Sequence, residues 1–318
     1  MRISAKTEAS IVLFAALYYV LSIFSLYIPA IGLPQITISL TAFIASIFGV
    51  LLGPELGAFT AFVGALVAWI LPPGSGSVTG LPFLLSPPMN ALTSGLIYTR
   101  RWKEATGILA LLIGVFWVSP PCTPFNPYWY IGLAASWDKI IACALIGPAV
   151  LLLRKPSLKA MFAAFFLLGL IGNQADNAWG NLAFAFPIVY NGIFGLNVEV
   201  VRFLFLVSPF IYPVIRIVQG VLVAVVAVPL VKALKASEWM PLRAEPAGKR
   251  PVPAMPVPVF EIAGRGYFAE AMTYSMLAVI SIVGALVQTR LWLFPACIFI
   301  LLVIIVGIEY RFRRPVRK

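Results

Sequence analysis

Apolar runs follow one another along this chain with almost no charge inside them, and that pattern leaves few folds open. A run of about 17–25 such residues crosses a hydrocarbon core of roughly 30 Å as a helix. The first, ASIVLFAALYYVLSIFSLYI over 9–28, lacks a small-residue cleavage site and is followed by many more, so it is expected to be a retained helix rather than a signal peptide. Only 11% of the 318 residues are charged, against about 25% in a soluble domain, and the mean hydropathy is +0.99. The expected fold class is all-α, a polytopic transmembrane helical bundle.

The net charge of +12 would suit nucleic acid if it were spread over a soluble face. Instead 19 of the 23 Lys and Arg fall in five short groups between apolar runs, near Arg2, Arg100, Arg154, Lys232 to Arg265, and Arg311. Basic groups confined to alternate connections mark the cytosolic side, so no nucleic-acid partner is expected. The three cysteines, 122, 143 and 297, are too scattered for a disulfide framework or metal cluster. Histidine is absent, which removes Ser-His, Cys-His and His-zinc chemistry. The chain is therefore not expected to be an enzyme, and neither a metal nor a cofactor is expected.

With each basic group in the cytosol, the runs give spans at about 9–28, 36–53, 55–71, 88–100, 105–118, 131–153, 158–172 and 211–233. Both termini are then cytosolic in a multi-pass protein of the plasma membrane. The stretch 182–212, broken by Pro187, Gly192, Gly195 and Pro209, fits one crossing or three with the span that follows it; one is favoured, with 182–212 re-entrant or interfacial. The expected domains are a main domain of about eight helices (1–235), a Pro-rich cytosolic linker (236–266), and a two-helix transmembrane hairpin with a basic tail (267–318).

The outer connections are nearly uncharged and rich in Pro, Gly, Asn, Trp and Tyr, as suits surfaces that enclose something neutral. Asn90, Asn126, Trp129, Trp137, Asn173, Asp176, Asn177, Trp179, Asn181 and Tyr190 lie in or near them and form the candidate solute site. Small-molecule pockets combine aromatic walls with a few placed polar groups, and amides offer donor and acceptor together, which suits an uncharged heterocycle or ureido group. For any single Trp or Tyr, an aromatic belt facing lipid at the interface is the competing explanation. The amide density of NQADNAWGN, residues 173–181, exceeds what a plain outer loop needs.

Charge near apolar segments is costly and usually paired or functional. Glu199 and Arg202, three apart, either pair on a helix or contact a substrate or an ion. An intramembrane aspartyl protease would need two facing Asp, for which Asp138 and Asp176 are the available couple, and neither sits in a recognisable motif. Small residues at helical spacing, Gly57, Ala61, Gly64, Ala65 and Ala68, lay a smooth stripe that serves packing inside the bundle or docking to another membrane subunit.

The stretch PQITISLTAFIASIFGVLLGPELGAFTAFVGALVAWI, with its tight Gly53-Pro54-Glu55-Leu56-Gly57 turn, resembles the substrate-binding S components of energy-coupling factor (ECF) vitamin transporters, most of all their biotin-specific branch. MNALTSGLIYTRR resembles the family's fourth helix and SPFIYPVIRIVQGVLVAVVAVPLVKAL its last. S components usually have six helices, so about two are inserted here, and NQADNAWGN lies in the insertion. The resemblance implies a membrane-embedded subunit that captures a small neutral vitamin-like solute and docks, through Ala15, Ala16, Gly57, Ala61 and Ala65, on a transmembrane coupling subunit driven by cytosolic ATPases. No Gly-x-x-x-x-Gly-Lys-Ser/Thr stretch occurs, so ATP hydrolysis would belong to those partners. A stand-alone secondary permease and a non-transporting membrane scaffold are the alternatives.

Overall fold

The computed structural model describes residues 5–24, 27–30, 33–39, 42–72 and 74–236. The linker and the C-terminal hairpin expected from 236 onward lie outside the described residues, apart from Ala236.

The chain forms an all-α bundle with one small hairpin at the start. Helix α1 (Ala5–Ile23) leads into strands β1 (Tyr27–Ala30) and β2 (Leu33–Ser39), followed by α2 (Phe43–Leu52), α3 (Pro54–Ile70), α4 (Ser86–Tyr98) and α5 (Trp102–Trp117). Then come α6 (Phe125–Leu152), α7 (Leu158–Phe184), the single turn α8 (Pro187–Tyr190), α9 (Val198–Val207) and α10 (Tyr212–Ala236). Short 3-10 turns at Val78–Phe83, Pro120–Cys122 and Ser208–Phe210 fill the connections. The windows Phe125–Leu152, Leu158–Phe184 and Tyr212–Leu234 are long and apolar enough to cross a membrane, which makes this a helical membrane protein.

Two boundaries differ from the sequence expectation. The spans expected over 9–28 and 36–53 remain helical only over α1 and α2, and their facing ends form an antiparallel hairpin, with Tyr27 opposite Ser39 and Ile28 opposite Ile38. Pro29 and Pro34 remove helical donors, and Ile36, Thr37 and Ile38 prefer extended backbone; in a two-strand ribbon every strand is an edge, so the prolines are tolerated. The span expected to end at 172 instead continues to Phe184 as one helix of 27 residues, about 40 Å long. NQADNAWGN is therefore not a loop but the second half of α7, and residues 173–178 are all buried.

The turn between α2 and α3 needs glycine at Gly53, where φ is 84°, a left-handed conformation that costs a side-chain-bearing residue. Pro54 then opens α3 at a position with no donor to lose. Arg101, between α4 and α5, pairs with Glu55 in this turn and with Glu104. Both turns therefore lie at the same end of the bundle, the end that carries the Arg100 group. Helix α7 occupies the middle, packed against α10, α4, α6, α5 and α2.

Candidate functional site

Helix α7 meets α4 through a hydrogen bond between two asparagines. Asn90 on α4 donates from Nδ2 to Ala42 O (3.0 Å) and to Asn173 Oδ1 (3.2 Å), and its Oδ1 accepts from Ser46 Oγ on α2. Asn173 Nδ2 donates back along its own helix to Gly169 O (2.7 Å). The approach is possible because residue 172 is glycine; a Cβ there would run into Asn90 Oδ1 and come within 3.0 Å of Ser46 Oγ.

One turn further along α7 the groups become charged. Asp176 Oδ1 lies 3.6 Å from Arg216 Nη2 on α10, an ion pair just outside hydrogen-bond range. Arg216 Nη1 donates to Gln219 Oε1 (2.8 Å), and Gln219 Nε2 donates to Ser39 O at the end of β2 (2.9 Å). From α6 comes a second pair, Lys139 Nζ to Asp138 Oδ1 at 2.9 Å, with both side chains buried. Asn181 Nδ2 donates to Ala135 O (3.1 Å), and α6 and α7 are joined by a short turn, so they run antiparallel. One turn back from that bond along α7, Asn177 is level with Lys139, which lies within electrostatic reach of Arg216.

Asp138, Lys139, Asp176, Asn177 and Arg216 thus form one buried layer across α6, α7 and α10, with two carboxylates and two cations and no net charge. Among the described residues, four buried side-chain atoms have no hydrogen-bond partner: Thr93 Oγ1, Gln174 Oε1, Asn177 Nδ2 and Arg216 Nε. Native interiors keep few such orphans, because each costs about 1–3 kcal/mol. Three of the four belong to this layer or the adjoining turn of α7.

Above the layer, Trp179 Nε1 donates to Pro82 O (3.1 Å) in the Val78–Phe83 turn. Phe83 and Phe184 both pack on Phe194, one tilted and one edge-to-face, at 6.5 and 5.5 Å between ring centroids, and Tyr190 is buried in α8. These contacts draw two connections together over the end of α7. Beside them Arg202 on α9 is fully engaged: it donates to Pro121 O (3.0 Å), Thr123 O (2.8 Å) and Glu199 Oε1 (2.6 Å), and stacks 3.3 Å from the Tyr128 ring. The Glu199–Arg202 couple is a structural clamp.

Of the sequence candidates, Asn90, Asn173, Asp176 and Asn177 come together inside the bundle, with Trp179, Asn181 and Tyr190 bordering them. Asn126, Trp129 and Trp137 do not. Asn126 is exposed, and Trp129 and Trp137 are 49% and 37% exposed. They share the outward stripe of α6 with Leu133 and Ile141, whereas Ala135, Asp138, Lys139 and Ala142 face inward; the 3.6-residue period separates the two sets. Asp138 and Asp176 each have their own cation, so they do not form the mutually facing acid pair of an aspartyl protease.

The expected docking residues lie mostly inside the bundle. Ala15, Gly57, Ala61 and Ala65 are buried inside the bundle and Ala16 is half-buried. The α3 stripe is covered by α1 and α2: a Cβ on Gly64 would come within 2.7 Å of Tyr18 Cβ, and one on Gly57 within 2.7 Å of the Gly49 backbone. Sequence reasoning left out Ser46, Arg216 and Gln219. Arg216 and Gln219 had a signal, being polar residues three apart in the otherwise apolar run YPVIRIVQGVLVAVV; Ser46 had none.

No protein family model, curated protein or solved structure matches this chain. The fold and site define a class: a helical membrane protein with a buried, charge-balanced polar layer in its bundle.

Proposed function

We propose that this chain is the membrane-embedded substrate-capture subunit of an ATP-driven, ECF-like uptake system for a small neutral solute. One observation carries the reading: a bundle of apolar helices holds a charge-balanced layer whose buried donors and acceptors are partly unpartnered. Polar residues inside membrane segments are costly, and where they persist they mark solute or ion pathways. The layer lies about 12 Å along α7 from Phe184, beneath the connections joined by Trp179 and Phe194. That placement suits a solute taken up from the outer side and enclosed there. A coupling subunit and ATPases would act in trans, on the exposed apolar faces of the bundle rather than on the α3 stripe.

Thermal unfolding of the purified chain with a broad panel of vitamins and related heterocycles tests the reading. A neutral member of the panel is expected to stabilise the protein; no stabilisation by any member counts against capture. The buried Asp–Lys and Asp–Arg pairs favour a second reading, an ion-coupled permease working alone. Gradient-driven uptake by this chain alone in liposomes would support that alternative.

A further inference from the structure

We propose that Asp176, Asn177 and Arg216 read a net-neutral solute that presents an N–H donor and a C=O acceptor side by side, as lactams, cyclic ureas and pyrimidinediones do. The inference rests on the capture function proposed above and names the chemistry of its solute.

The unspent groups define the complement. Arg216 Nε and Asn177 Nδ2 are donors without acceptors, and Gln174 Oε1 is an acceptor without a donor. Asp176 accepts no hydrogen bond from the described residues; the nearest Arg216 nitrogen stands off at 3.6 Å. A carboxylate can only accept, and a guanidinium can only donate. Held beside each other, they match a ligand edge with the opposite sequence: N–H toward Asp176, C=O toward Arg216 and Asn177. A planar amide edge satisfies both without separating the ion pair.

The charge balance excludes monopoles. Asp138 is matched by Lys139 and Asp176 by Arg216. An anionic solute taking Arg216 would bring its charge against Asp176, and a cation taking Asp176 would face Arg216 and Lys139. In an interior of low dielectric neither excess is screened. A net-neutral solute leaves the layer balanced.

The test uses the full chain in lipid nanodiscs, with unfolding temperature and tryptophan fluorescence as readouts at millimolar probe. Uracil and 2-imidazolidinone supply the neutral edge. Their 1,3-dimethyl derivatives lack the donors, orotate adds a carboxylate to uracil, and glycine is a small zwitterion. Uracil or 2-imidazolidinone is expected to stabilise the protein, with its dimethyl derivative weaker by about tenfold, the loss of roughly one hydrogen bond. Asn177→Ala removes an orphan donor and leaves no partner stranded, so the unliganded protein should be at least as stable as wild type while the neutral probe binds about tenfold more weakly. Arg216→Lys keeps the positive charge but loses the Nε donor, and should weaken the probe likewise.

If orotate or glycine binds and neither neutral probe does, the solute class is wrong while capture stands. Neutral probes that bind Asn177→Ala and Arg216→Lys as well as wild type place the solute elsewhere, which also overturns the assignment. Failure of every neutral probe overturns it too, and the broader panel then decides whether capture itself fails.

Discussion

Asn90 joins three parts of the bundle with one side chain: it donates to Ala42 O and to Asn173, and accepts from Ser46. Asn90→Leu keeps the number and branching of the side-chain heavy atoms but adds bulk beside Gly172 and strands the Ser46 hydroxyl and Asn173 Oδ1. Each buried group left unpaired costs about 1–3 kcal/mol, so the unfolding temperature in detergent should fall clearly, and solute binding should fall with it. Trp129→Ala offers the contrast, because that ring lies on the outward face of α6; both stability and solute affinity should change little. Arg202→Lys separates a clamp from a site. Lysine cannot reproduce a guanidinium that reaches Pro121 O, Thr123 O and Glu199 while stacking on Tyr128. A loss of about 1–3 kcal/mol in stability with unchanged solute affinity is expected, read by unfolding and by probe titration on the same sample. A fall in affinity at constant stability would instead put Arg202 in the site.

Among the elements, α7 decides the architecture, and it is also where the sequence is hardest to read. Its first half, LKAMFAAFFLLGLIG, looks like any membrane span, whereas NQADNAWGN looks like a loop because amides and glycine usually are one. The missing information is tertiary: Asn173 has an acceptor at Gly169 O and a donor at Asn90, and Asp176 has Arg216. With those partners the helix is cheaper to continue than to end. The β1–β2 hairpin is the reverse case, since its prolines and β-branched residues were visible but apolar length suggested helix. The small-residue stripe on α3 was legible as a packing surface but not by what covers it, because small residues record close approach and not the identity of the neighbour. Gly172 gives the element-scale test. Gly172→Ala puts a methyl against Asn90 Oδ1 and Ser46, and overpacking of this kind costs about 1–3 kcal/mol. It should lower the unfolding temperature and open the Asn90–Asn173 bond to amide exchange, while Ala at Gly114, where a Cβ meets nothing within 4 Å, should be neutral.

At the scale of the whole molecule, the capture reading needs the polar layer to be reached from outside, and charge sets the orientation to be expected. The connections bearing Arg100 and Arg154 should lie in the cytosol, which puts the 71–85 and 185–211 connections outside. Helix α9 has ten residues, about 15 Å, half the depth of a hydrocarbon core of roughly 30 Å. It is too short to cross alone, so α10, long and apolar enough to span, is expected to make the one crossing from the outer connection to Lys232. Cysteine labelling tests this once Cys143 and Cys297 are replaced. Cys122 can stay: it is fully buried, and burial pushes its thiol up to about 11, leaving little thiolate to react at neutral pH. A membrane-impermeant maleimide should label Ser75→Cys and Asn191→Cys in intact cells. Lys155→Cys should label only after permeabilisation, its neighbours Arg154 and Lys159 still holding that turn inside. Labelling of Asn191→Cys only after permeabilisation would mean that 182–212 enters the cytosol; labelling of Lys155→Cys in intact cells would invert the bundle. Either result would place the polar layer behind the wrong face for uptake from outside.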